Sequence, residues 1–214
     1  YEPAQLLRSA VNLAADFARV RDPETGMHLE RVSHYARLIA RALSPNEGLD
    51  DEFIEDLFWL APAHDIGKVA IPDHILLKPG LLAPAEYEIM KGHVASGVAV
   101  VEDVIRNFDL GGSARAPMLR NLVRAHHEAL DGSGYPDGLK AGEIPLEARI
   151  VAVADVFDAL TTDRTYKKTW SPEEAFGFLA ERKGTKFDPA CVVALGSQAA
   201  EVASIRQRFS EAAG

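Results

Sequence analysis

One cysteine among 214 residues leaves this chain no internal disulfide, so its stability has to come from packing. That residue, Cys191, sits in the apolar stretch PACVVAL, which predicts a small core residue and not a reactive thiol. The shortage fits a reducing compartment. Long hydrophobic runs are missing too: IVAVA at 150–154 falls far short of a membrane span, and the first thirty residues carry Glu, Arg and Asp where a secretory signal needs an apolar stretch. Positive charge is scarce, with 23 Lys and Arg against 32 Asp and Glu, a formal net charge of −9. That balance excludes a sequence-independent grip on nucleic-acid polymers, which needs clustered basic residues. It leaves room for a small anion held by locally concentrated positive charge, metal included. The chain opens on Tyr1, not Met, as a piece of a longer protein would.

Repeats, low-complexity tracts and sustained two-residue alternation are also absent, whereas helical periodicity runs through most of the chain. Leu6, Leu7, Val11, Leu13, Ala14, Phe17 and Val20 predict a helix over 4–20. DPETG at 22–26 supplies an N-cap Asp, a first-turn Pro and an acidic turn for a second helix reaching about Leu43, stopped by SPNEG. A third helix is expected over about 50–65, ending in HDIGK, followed by a proline-rich link with at most short turns. Further helices are expected near 84–106, 116–130, 145–161, 171–182 and 188–210. The expected fold is an all-α bundle, with residues 1–21 as a connector or bundle helix ahead of the main domain.

Seven histidines are present, and three fall on apolar helix faces. His28 lies four residues before Val32, with Glu24 stacked a turn below it; His64 continues the stripe of Phe53, Leu57, Leu60 and Ala61; His126 continues Leu119, Leu122 and Val123. Asp155 stands in the middle of RIVAVADVFDAL, a helix apolar on nearly every side. A buried carboxylate costs several kcal/mol unless a cation or a full set of donors meets it. Imidazoles and carboxylates pointing inward from several helices are best explained by a shared cation, of the Zn, Mn or Fe class. His34, about 240° round the helix from His28, should face away, and His74 lies in the link.

HDIGK at 64–68, HHE at 126–128 and GYP at 134–136 resemble the HD-GYP family, a branch of the HD metal-dependent phosphohydrolases. The likeness extends in family order through ETGMHLERVSHYARLIA, MKGHVASG, IPLEARIVAVADVFDALTTDRTYK and GTKFDP. It implies an HD-domain bundle of about seven to nine helices over 22–214, in a bacterial cytoplasmic protein that hydrolyses cyclic di-GMP to pGpG, GMP or both, with two or three divalent ions, Fe or Mn. The ligand set it implies is His64, Asp65, His93, His126, His127 and Asp155, joined by Glu24 and His28 where a third ion binds. Departures are modest: Ala129 and Leu130 stand where an aromatic is common, Val94 where Pro is common, and KVAI replaces KIGI. None removes a ligand.

Phosphodiester hydrolysis needs a nucleophile at neutral pH and neutralisation of the phosphate, which paired metals supply. Asp65 is expected to bridge two ions, and Lys68, one turn beyond His64, to neutralise a phosphate oxygen or orient the hydroxide. The resemblance makes Arg164 and Lys167 phosphate holders. Asp158 is expected to support a ligand, meet a guanine edge or cap the helix. Gly132, Gly134 and Gly138 permit a tight loop that Pro136 stiffens. Tyr135 is expected to line the cleft or meet a partner such as a GGDEF-type cyclase. An upstream sensor or receiver domain and a homodimer through helix 4–20 complete the expectation. Two alternatives stay open: hydrolysis of another cyclic dinucleotide or a nucleotide, and a signalling module that binds cyclic di-GMP or a partner without hydrolysis.

Overall fold

The computed structural model describes Ser9, Ala10, Leu13 and residues 26–162 and 169–210. Among these the chain is helical, with two isolated bridges, Asp131 to Lys140 and Lys183 to Phe187, in place of strands. The elements are α1 (Gly26–Glu47), α2 (Asp51–Leu60), two 3-10 turns (Ala61–Ala63 and Ile66–Ala70), α3 (Asp73–Leu76), α4 (Pro84–Lys91), α5 (His93–Asn107), α6 (Ala116–Ala125), a 3-10 turn (Ala141–Glu143), α7 (Leu146–Thr161), α8 (Pro172–Glu181), α9 (Pro189–Gly196) and α10 (Ala199–Arg208). Among the described residues nine of these α-helices have eight residues or more, and α3 is a single turn. No helix among the described residues is long and apolar enough to cross a membrane. The helix expected over 4–20 lies outside the described residues, apart from Ser9, Ala10 and Leu13, which are helical.

Core positions follow the sequence periodicity. Val32, Tyr35 and Ile39 of α1, Leu57 and Leu60 of α2, Leu119 and Leu122 of α6 and Phe157 of α7 are fully buried in one cluster that also contains Cys191. Tyr35 meets Phe157 edge-on with centroids 5.4 Å apart, and Phe157 stacks on Phe176 of α8 at 4.7 Å. Asp50 caps α2 by accepting from the Phe53 amide, and Ser171 with Glu174 forms a capping box on α8.

Five boundaries depart from the sequence reading: the helix expected near 116–130 ends at Ala125, just ahead of His126, and four others each have a local reason. Helix α1 runs through Pro45 to Glu47, because a proline in the last turn removes only one main-chain bond; Gly48, at φ +65°, stops it. The α-helix expected over 50–65 ends at Leu60, since Pro62 cannot donate along the helix, and the chain tightens into 3-10 turns on either side of His64 and Asp65. The run expected over 84–106 breaks at Gly92. Helix α4 buries none of its residues, whereas α5 buries His93, Val94, Gly97, Val101 and Ile105, so the chain turns from surface to core at that glycine. The stretch 188–210 divides into α9 and α10 around Ser197 and Gln198.

Candidate metal centre

Four separate parts of the chain bring imidazoles to one point. His28 comes from the first turns of α1, His64 and Asp65 from the junction between the 3-10 turns, His93 from the first residue of α5, and His126 and His127 from the end of α6. Two glycines let the HD junction meet α5. A methyl group at Gly67 would overlap the His93 carbonyl oxygen and the backbone of Gly97, so only hydrogen at this position allows the second 3-10 turn to lie directly on α5.

Each anchored imidazole has one nitrogen tied down and the other aimed inward. A carbonyl can only accept, so the Nδ1–H groups of His64, His93 and His126 donate to the carbonyls of Ala61 (2.8 Å), Met90 (2.7 Å) and Leu122 (3.0 Å). Their Nε2 lone pairs then face the interior. These three Nε2 atoms and Asp65 Oδ1 are buried with no hydrogen-bond partner, which a stable core does not tolerate unless the atoms ligate something. Asp65 Oδ1 lies 3.3 Å from His93 Nε2 and 3.7 Å from His126 Nε2, and Asp65 Oδ2 lies 3.3 Å from His64 Nε2. Asp155 Oδ1 is 3.5 Å from His28 Nε2 and 3.9 Å from His64 Nε2. Ligand atoms about 2.1 Å from one ion sit about 3–3.5 Å from each other, so this spacing fits metal coordination. Among the described residues two groups of potential ligands result, Asp65 with His93, His126 and His127, and His28 with His64 and Asp65. Asp65 belongs to both.

The electrostatics agree with a site that wants a cation. Burial alone would strip His64 of its proton, yet the carboxylates of Asp65 and Asp155 outweigh it and push the imidazole up to about 9. Burial would raise the Asp65 carboxyl, but Lys68, 2.9 Å away, and His64 hold it well below the usual range. Burial keeps His93 and His127 neutral, as ligands must be.

Around the centre, Lys68 sits at its rim on Asp65. Asp158 is buried, accepting from His28 Nδ1 at 2.8 Å and from Arg31. Tyr135 stacks on His127 with centroids 4.7 Å apart, and its loop returns its amide to the His127 carbonyl. Gly134 permits that return, since a side chain there would strike the backbone of Glu128 and Ala129. His34 packs between Phe58 and Phe209, away from the centre, and His74 is exposed. Glu24, Arg164 and Lys167 lie outside the described residues.

Two contributors escaped the sequence reading. Arg31, buried behind His28, was hidden because a lone arginine on a helix reads as solvent-facing; its i+3 spacing from His28 was the available signal. Glu128, in the middle of the motif, accepts from the amides of Asp137 (2.7 Å), Gly138 (3.2 Å) and Leu139 (2.9 Å) and so holds the loop shut. Replacing Glu128 with alanine is expected to cost about 2 kcal/mol, as three backbone donors, those of Gly138 and Leu139 half-buried, lose their acceptor. Hydrogen exchange at residues 137–139 should rise while exchange in α7 does not; unchanged protection there would refute the assignment.

A family model described as HD domain matches residues 12–191. The chain is 44% identical to a cyclic di-GMP phosphodiesterase response regulator of Xanthomonas campestris pv. campestris, over 96% of this chain and 51% of that protein. It is 38% identical to a 3'3'-cGAMP-specific phosphodiesterase of Vibrio cholerae, over 90% of this chain and 35% of that protein. Among solved structures, a cyclic GMP-AMP specific phosphodiesterase of V. cholerae superposes with a TM-score of 0.57 at 19% identity, covering 98% of this chain and 51% of that one, a likeness of fold. The chain spans about half the length of the curated relatives it matches.

Proposed function

The chain belongs to the HD-domain family, in its HD-GYP branch, and from that footing we propose that it is a metal-dependent phosphodiesterase that cleaves cyclic di-GMP to pGpG, GMP or both. The observation that carries the reading is a pair of ligand groups joined through Asp65. Divalent ions held there, of the Fe or Mn class, would supply an activated water and a clamp for phosphate oxygens. Asp65 would contribute to both positions, His93, His126 and His127 would hold one, and His28, His64 and Asp155 the next, with Glu24 and His28 as the ligands of a third ion where one binds.

The remaining residues divide the work of binding and orientation. Lys68 fixes one oxygen of Asp65 and brings positive charge to the rim, where a non-bridging phosphate oxygen can meet it. Arg164 and Lys167 are proposed phosphate contacts, which would give a chain of net charge −9 a local hold on a dianion. The Tyr135 ring, stacked on His127, would wall one side of the centre against water. Pro136 and Asp137 are exposed on the outer side of the loop, where a GGDEF-type partner would touch.

The test is incubation of Mn- or Fe-loaded protein, kept anaerobic, with cyclic di-GMP and separation of the nucleotides. Linear pGpG or GMP is the expected outcome, and its absence with both metals would overturn the reading. The similarity to a 3'3'-cGAMP-specific relative supports a second reading, the same chemistry on the mixed dinucleotide. Relative kcat/KM on the two substrates decides between them.

A further inference from the structure

Four imidazoles aim Nε2 at the centre, and they are not oriented alike. His64, His93 and His126 are held by main-chain carbonyls of the preceding turn. His28 is held by a side chain from α7, Asp158, 130 residues away in sequence, at 2.8 Å. Asp158 is itself fixed by Arg31: Nε donates to Oδ1 at 2.6 Å and Nη2 to Oδ2 at 2.9 Å, a two-pronged hold that, with the Thr162 hydroxyl donating to Oδ2 at 3.3 Å, sets the carboxylate where Oδ2 accepts from the imidazole. Both side chains are almost fully buried, at 4% and 1% exposure, so the arrangement is built into the core and is not a surface ion pair. Arg31 also donates from Nη2 to Thr162 Oγ1 (2.9 Å) and from Nη1 to the Phe209 carbonyl (2.9 Å). It thereby joins His28 to the residue that precedes segment 163–168 and to the end of α10.

We propose that Arg31 and Asp158 are a positioning pair that sets the affinity of one metal position, the one formed by His28, His64, Asp65 and Asp155, without altering the position formed on His93, His126 and His127. The inference rests on the metal-centre reading above. It follows from the asymmetry of the anchors. Removing a side chain cannot delete the carbonyls of Ala61, Met90 or Leu122, but it can delete the acceptor that turns His28 inward. In Asp158→Asn one acceptor oxygen becomes an NH2 group, which must face either the Arg31 fork or His28 Nδ1–H, so the set of acceptors is broken with the shape kept. In Arg31→Gln the fork is lost.

The experiment titrates Mn(II) into the full chain and follows free ion by EPR, with total metal per chain counted by elemental analysis. His28→Ala and His93→Ala serve as references for the two positions. Asp158→Asn and Arg31→Gln are expected to weaken one class of Mn site about 10–100-fold, matching His28→Ala, and to leave the class lost in His93→Ala unchanged. A merely structural role would weaken both classes together with the unfolding midpoint, and that result would overturn the proposal. So would folded variants that bind Mn as wild type does. Where either variant fails to fold, Arg31→Lys, which keeps the charge and loses the fork, is read in the same way. Wild-type protein that takes up neither Mn nor Fe would instead refute the metal-centre reading itself.

Discussion

Replacing Asp65 with alanine should abolish cyclic di-GMP turnover, a loss of at least about 10³-fold, and should release more metal per chain than any single histidine substitution does. The reason is its place in both ligand groups: Oδ1 faces His93 and His126, while Oδ2 faces His64 and Lys68. His93→Ala removes a ligand from one group only, and His28→Ala from the other. Among the described residues Asp65 is the carboxylate common to both, and losing it opens both. The fold should survive, because the change leaves no unpaired buried carboxylate behind and Lys68, at the rim, can turn toward solvent. Paired measurements of turnover and metal content on anaerobically purified protein check this. An Asp65→Ala protein that keeps its full metal content would mean that the two groups are not joined through this residue.

The largest loss of stability is expected from a much smaller change, Gly67→Ala. The added methyl would overlap the His93 carbonyl and the Gly97 backbone, atoms that no rotamer change can move aside. Either the second 3-10 turn lifts from α5 or the helix shifts, at a cost of about 3 kcal/mol or more. For a chain of this size that corresponds to a fall in Tm of about 6–12 °C. The damage should not stop at stability, because the same contact sets the distance between Asp65 and His93. Thermal unfolding with and without Mn checks both parts: metal should stabilise wild type and have little effect on Gly67→Ala. A variant with wild-type Tm would show that the contact is not tight.

Helical phase alone carried the reading as far as His28, His64 and His126, because each continues an apolar stripe that the core buries as expected. Asp155 was legible as a charge in an apolar helix. His93 was not: it falls in a run whose periodicity continues across Gly92, and only the family resemblance singled it out before the structure showed it at the first turn of a core helix. The approach of Gly67 to Gly97 left no trace either, since glycine contributes nothing to a hydrophobic stripe and the contact joins positions thirty residues apart. The expected helix through 61–65 failed at Pro62, a position where a missing N–H outweighs an otherwise regular pattern. Arg31 and Glu128 were missed for a common reason. Charged side chains are read as solvated until the partner that buries them is known, and here the partners are Asp158, 127 residues away, and the amides of the motif's own loop.

The main-chain anchoring of three imidazoles bears on how such a centre can change over generations. Every amino acid carries a carbonyl, so Ala61, Met90 and Leu122 can be exchanged freely, within what packing tolerates, and the instruction they give to His64, His93 and His126 is inherited unaltered. Drift in the surrounding side chains therefore leaves that part of the centre alone. His28 takes its instruction from genetically exchangeable side chains, so heritable variation reaches its position through two codons besides its own, those of Arg31 and Asp158. One half of the centre is buffered against mutation, and the other is where lineages can diverge.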